Sequence, residues 1–135
     1  MSHAEHDRGS LMPMTAIFVA FLMIGSWALV SASQQWGARR EAHAVAAAAA
    51  RAGAQGDLAS IRAGGIVDPV AATARAESVI NAAGHTGTVS VDGTQVTVEV
   101  QVDVDYAFPT PGSPTTVTGS ATAIATPGVS GLEGG

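Results

Sequence analysis

Residues 11–30 present twenty consecutive positions without a charged side chain, LMPMTAIFVAFLMIGSWALV. At about 1.5 Å per residue, a helix of that length spans roughly 30 Å, the thickness of a bilayer's hydrocarbon layer. Pro13 falls in the first turn of such a helix, where its missing N–H would be unpaired anyway. Trp27 and Trp36 flank the far end, where indole rings favour the lipid–water boundary. The pattern predicts a membrane-inserted helix over residues 11–32, preceded by a polar tail over residues 1–10. A cleavable export signal competes with this reading. Val30-Ser31-Ala32 offers small residues to a signal peptidase, and Arg8 supplies a positive head. Signal cores, however, run about 7–15 residues, shorter than this stretch.

The chain does not turn after residue 32. Residues 33–56 read SQQWGARREAHAVAAAAARAGAQG, a run of strong helix formers that ends at Gly56. An unbroken helix over residues 11–55 would be about 65–70 Å long, half in the membrane and half projecting from it. Gly37 is its weak point, at about 1 kcal/mol relative to Ala. Arg39, Arg40, Glu41, His43, Arg51 and Gln55 form a polar face on the projecting half, and the rest is nearly all alanine. Ala42, Ala46, Ala50 and Ala54 fall in one row, which allows another backbone to approach closely. The row therefore predicts helix packing against neighbouring helices, with helix propensity alone as the plainer explanation.

Residues 58–67 read as an irregular connection around Gly64-Gly65. Asp68-Pro69 then supplies an N-cap and a proline at the first helical position. The following helix places Ala72, Ala76, Val79, Ile80 and Ala83 on one stripe, and Gly84 ends it in the left-handed conformation. Asp92-Gly93 between alternating segments predicts a hairpin with a type I′ turn, which would set Val91 opposite Thr94 and Val89 opposite Val96. Val96, Val98, Val100, Val102, Val104, Tyr106 and Phe108 share one face of the second strand. Thr97, Glu99, Gln101, Asp103 and Asp105 share the other. After the turn PTPGSP, residues 115–125 alternate more weakly as a third strand.

The expected architecture is α+β: a long N-terminal transmembrane helix continuing outside the membrane, then a small helix over the valine face of a three-stranded antiparallel meander. The extramembrane helix occupies residues 33–56, the small domain residues 57–127, and a flexible tail residues 128–135. Few core side chains exceed valine in size, so the domain is thin.

Composition sharpens this picture. Of 135 residues 47% are hydrophobic and only 13% charged, so apolar content is concentrated outside a globular interior. The absence of cysteine excludes disulfides, thiolate metal sites and thiol nucleophiles. The net charge is −5, and from Asp57 onward eight acidic residues face only Arg62 and Arg75. An acidic outer part repels phosphate backbones, so no nucleic acid partner is expected. Counting positive residues on either side of the apolar run sets Arg8 against Arg39 and Arg40, a lean toward an external N-terminus.

Candidate chemistry is sparse. His3 and His6 lie in the tail, His43 on the alanine helix and His85 in a turn, without metal-binding spacing. No serine has a histidine and carboxylate organised around it, and no phosphate-binding or dinucleotide fingerprint appears. Glu99, Asp103 and Asp105, with Gln101, form the one acidic cluster, which a solvated strand face explains as well as a hard cation does. No catalytic residue, metal or cofactor is assigned, and the chain is not expected to be an enzyme.

Several segments, in this order, carry a resemblance: Asp7-Arg8-Gly9-Ser10 before the apolar run, Ala38-Arg39-Arg40-Glu41-Ala42 and Ala48-Ala49-Ala50-Arg51-Ala52-Gly53-Ala54-Gln55 after it, Val67-Asp68-Pro69, and Gly84-His85-Thr86-Gly87-Thr88-Val89. The chain resembles the TadE/TadG-like pilus assembly proteins of the Flp (tight adherence) pilus, in their actinobacterial form. The resemblance implies a minor pilin or pseudopilin-like subunit of the cell envelope, with a cytoplasmic N-terminus and an extracytoplasmic domain. That orientation is opposite to the charge lean. The implied partners are the membrane lipid bilayer, other pilin or pseudopilin subunits, the pilus assembly machinery and a prepilin peptidase acting between Gly9 and Ser10. The sequence departs from the prepilin pattern at Met14, where a glutamate is usual five residues after the cleaved glycine. It also lacks the aspartate that many relatives carry near the end of the membrane helix, here ALVSASQQWG. The alternative is a small binding module, secreted or membrane-anchored, with a signal peptide cleaved near Ala32.

Overall fold

The structure, a computed structural model, describes residues 4–55, 67–108 and 111–126, with side chains from residue 11 onward. Among the described residues, two helices and three strands follow one another as α1 (Ala4–Gln55), α2 (Pro69–Ala82), β1 (Thr86–Asp92), β2 (Gln95–Asp103) and β3 (Thr116–Ile124). The arrangement is α+β, as the pattern predicts. The connection around Gly64-Gly65 and the C-terminal tail lie outside the described residues.

Helix α1 is continuous over 52 residues, about 78 Å at 1.5 Å per residue. It passes through Gly37 without a break, because a lone glycine within a long helix costs less than ending the helix would. It begins at Ala4, earlier than the apolar run. Pro13 is therefore an interior residue and not a first-turn residue, and it offers no N–H to the carbonyl of Gly9. Thr15 Oγ1 donates to the Leu11 carbonyl at 2.7 Å, a local bond that keeps a polar hydroxyl satisfied in an apolar stretch.

Helix α2 starts and stops where its sequence dictates. Asp68 Oδ1 accepts the Val70 N–H at 3.1 Å, and Pro69 occupies the first turn. At the other end Gly84 takes φ +77°. Its N–H donates to the Asn81 carbonyl at 3.0 Å, and the His85 N–H to the Ile80 carbonyl at 3.2 Å. These two bonds form a Schellman closure. Ala72, Ala76 and Ile80 are buried and Val79 is half-buried, while Ala83, at the C-cap, is exposed.

The sheet is an antiparallel meander of order β1-β2-β3. Its first turn falls one residue later than the Asp92-Gly93 signal suggests. Asp92 pairs with Gln95, so Gly93 and Thr94 form the loop, Val91 faces Val96 and Val89 faces Val98. Gly93 alone of the two loop residues has positive φ, +60°. Glycine at the first central position suits a type II′ turn, whereas the type I′ form would require positive φ at both positions. The pairing moves by two residues, so the valines keep their face. Strand β2 also stops at Asp103, although the alternation continues: Val104 is buried, Tyr106 half-buried, and Phe108 lies 63% exposed, outside the core.

Among the described residues, the buried core consists of alanine and valine, with Ile80 the one larger side chain. Two helices share the valine face. The C-terminal half of α1 crosses β2 and β3, and α2 packs on α1 and β1 with only a light touch on β2. The expected cover of the valine face by α2 is corrected in its extent: α1 takes β2 and β3, and α2 lies mainly on β1. The membrane-type helix and the domain are one body because the last turns of α1 form a layer of the domain.

Candidate functional site

Helix α1 has two surfaces of opposite character along its length. Over residues 11–30 every side chain is exposed except that of Trp27, which is half-buried. Phe18, Phe21, Met23 and Leu29 are 63%, 74%, 71% and 74% exposed, respectively. The helix holds an apolar window of mean hydropathy 2.0, none of it buried by the rest of the chain, and is long enough to cross a membrane. A contiguous apolar surface of this size is too costly to leave in water.

From residue 38 onward the same helix turns inward. Ala42, Ala46, Ala50 and Ala54 have 0%, 0%, 1% and 3% exposure, and they are joined by Ala49 and Gly53. The row expected to meet neighbouring helices is filled by the chain's own sheet and α2. A Cβ built on Gly53 would lie 3.1 Å from the Ala72 carbonyl oxygen and 3.1 Å from Val96 Cγ1, so the small residues allow α1, α2 and β2 to meet closely.

Polar contacts fix the rotation of α1 on the domain. Glu41 Oε1 lies 2.9 Å from His85 Nε2, joining α1 to the residue that follows the α2 closure. His43 Nδ1 donates to the Ser120 carbonyl of β3 at 3.2 Å. Farther down the helix, the Ala107 N–H donates to Gln34 Oε1 at 3.4 Å. The segment carrying Ala107 is itself pinned. The Val104 N–H donates to the Thr115 carbonyl at 2.8 Å, and the Tyr106 hydroxyl donates to the Pro114 carbonyl at 2.9 Å. Phe108 follows directly and faces α1, closing an open apolar groove with Val19, Leu22, Trp27 and Val30.

The remaining sequence candidates stay dispersed. Gly9 and Ser10 lie in the early turns of α1, and their side chains are outside the described residues. Glu99, Asp103 and Asp105 are exposed, and among the described residues no three His, Asp or Glu side chains are grouped to hold a metal ion. Sequence reasoning missed both the Ala107–Gln34 bond and the placing of Phe108 against α1, because nothing local marks a loop residue as facing a helix more than seventy positions earlier. It also missed Gly119, for which a glycine inside a strand pattern was an available signal of close backbone approach.

Residues 9–56 match the Flp pilus-assembly TadE/G-like family model, Tad. The TadE/G-like segment thus coincides with α1 almost end to end, from the second turn to its close. No curated protein and no solved structure matches the chain. The match supports a Flp pilus-assembly-related component, and together with the exposed apolar helix it points to membrane anchoring.

Proposed function

We propose that this chain is a minor pilin or pseudopilin-like subunit of a Flp/Tad-type pilus or a related secretion apparatus. One helix anchors it in a single pass, with the N-terminus in the cytoplasm and the small domain outside the membrane. The observation that carries this reading is the coincidence of the TadE/G-like match with a helix exposed over its first half and embedded in its own domain over its second. Over residues 11–30 such a helix offers nearly its whole circumference for lateral packing against other subunits, whereas over its second half the inner stripe is already occupied and only the outer face is open. A prepilin peptidase acting after Gly9 would leave the whole apolar run and the whole domain intact.

Site-specific photocrosslinking from Phe21 and Leu29 in native membranes tests the role, since both side chains are exposed. Adducts with pilus assembly proteins are expected, and adducts with lipid alone would remove the assembly reading. The intact mass of the mature protein separates the processing routes. Loss of residues 1–9 indicates prepilin-type cleavage, full length indicates a plain anchor, and loss of residues 1–32 indicates a signal peptide. Cysteine labelling in intact cells tests orientation: reaction at Ser130→Cys but not at Ser2→Cys is expected, and the reverse pattern would overturn it.

A further inference from the structure

We propose that the segment ending in Phe108 is a second, shallow membrane contact, with the Phe108 ring among phospholipid acyl chains beside Trp27 and Val30. The inference rests on the membrane-spanning reading of α1 and adds to it a position and a depth for the domain. Three observations meet here. The Ala107 N–H is bonded to Gln34, one helical turn, about 6 Å, beyond Val30, the last residue of the apolar run. Phe108 then lies in one groove with residues of that run, alongside Trp27, whose exposure alone among residues 11–30 is reduced. Finally, the alternation of β2 would place Phe108 in the core with Val102 and Val104, yet the strand ends at Asp103 and the ring is 63% exposed.

The occupant of the groove follows from its continuity with the span. Its floor is the lipid-facing surface of α1, so whatever solvates Val19 and Leu22 also bathes Phe108. An aromatic ring at the level of an interfacial tryptophan suits the boundary between headgroups and acyl chains. Exposed Asp103 and Asp105 flank the segment, so attraction to anionic headgroups contributes nothing, and the contact should form on zwitterionic bilayers. The two contacts together fix the rotation of the helix about its own axis, which a single span leaves free, and seat the domain on the membrane surface.

The chain has no native cysteine, so single-site spin labels report without background. The full chain is reconstituted in phosphatidylcholine vesicles with a nitroxide at Ala107→Cys, at Val19→Cys as a reference in the span, and at Thr118→Cys on the exposed part of β3. Collision with oxygen, which concentrates in the bilayer, is compared with collision with a water-soluble nickel chelate. The expected result is a severalfold higher oxygen-to-nickel ratio at Ala107→Cys than at Thr118→Cys, lost when Phe108→Ser is added. A water-like ratio at Ala107→Cys, or one unchanged by Phe108→Ser, overturns the proposal. Protection from both agents also overturns it, because a second copy or another protein then covers the groove. A water-like ratio at Val19→Cys would instead overturn the spanning reading itself.

Discussion

Gly119 on β3 lies so close to Ala42 on α1 that a Cβ added to the glycine would sit 2.5 Å from the Ala42 carbonyl carbon and 2.7 Å from its Cβ. The obstacle is helix backbone, which cannot swing aside as a long side chain can. Helix and strand therefore meet at a distance only glycine permits. The neighbouring bond from His43 to the Ser120 carbonyl depends on the same approach. Gly119→Ala should destabilise the domain by at least the roughly 1–3 kcal/mol typical of overpacking. Denaturant unfolding of the full chain in detergent micelles, followed by the sheet signal, measures it. A neutral result would mean that α1 can ride off β3 without loss.

Gly37 is the opposite case. A Cβ there meets nothing within 4 Å, and the residue lies inside α1. Gly37→Ala should stiffen the helix by about 1 kcal/mol of propensity without disturbing any contact. Amide hydrogen exchange around residues 34–40 should slow in the variant. Unchanged or faster exchange would show that the glycine is a hinge whose freedom is not reflected in local helix stability.

The core places unusual weight on one side chain. Ile80 is 2% exposed, and the other buried members of its hydrophobic cluster among the described residues are valine and alanine. Ile80→Val should cost about 0.5–1.5 kcal/mol and Ile80→Ala about 2–5 kcal/mol, the larger loss including the cavity that a sheet and two helices cannot collapse. Unfolding midpoints of the two variants provide the check, and equal midpoints would contradict a rigidly packed interior.

These particulars also show why some of the structure was legible in the sequence and some was not. The α2 boundaries were readable because Asp68, Pro69 and Gly84 act through local bonds and local dihedral preferences. The faces of β2 were readable because a period of two survives even when the turn moves by one residue, as it does at Gly93-Thr94. The alanine row of α1 was recognised as a packing surface, but its partner was not, because small residues advertise closeness without naming what comes close. The end of β2 at Asp103 and the departure of Phe108 from the core depend on tertiary contacts to Gln34 and α1, which no window of sequence contains.

Between α1 and the turn after α2, the 2.9 Å contact of Glu41 with His85 pairs a side chain 56% exposed with one only 15% exposed. The contact is an ion pair only when His85 is protonated; in that form solvent screens it, and exposed ion pairs contribute about 0.2–1 kcal/mol. A double-mutant cycle with Glu41→Ala and His85→Ala, run at a pH acidic enough to protonate histidine, should therefore give a coupling below about 1 kcal/mol that shrinks with added salt. A larger, salt-insensitive coupling would indicate that the contact is shielded from water by something that covers this face, such as a neighbouring subunit.

The bare half of α1 allows membrane insertion to be separated from folding. Phe21 and Ile24 sit near the middle of the apolar run, are 74% and 64% exposed, and belong to no part of the core. An arginine at the centre of a spanning helix costs about 2.5–3.5 kcal/mol on insertion scales, so Phe21→Arg with Ile24→Arg should cost about 5–7 kcal/mol. The chain should then move from the membrane pellet to the supernatant on alkaline extraction. The hairpin and its packing on residues 42–54 should survive, because the substituted positions touch neither. Phe21→Leu with Ile24→Leu, which preserves hydropathy, should stay in the pellet. If the doubly charged variant also remains membrane-bound, the run is not the element that holds the chain there. If its sheet signal collapses, the two halves of the helix are coupled more tightly than their separate surroundings imply.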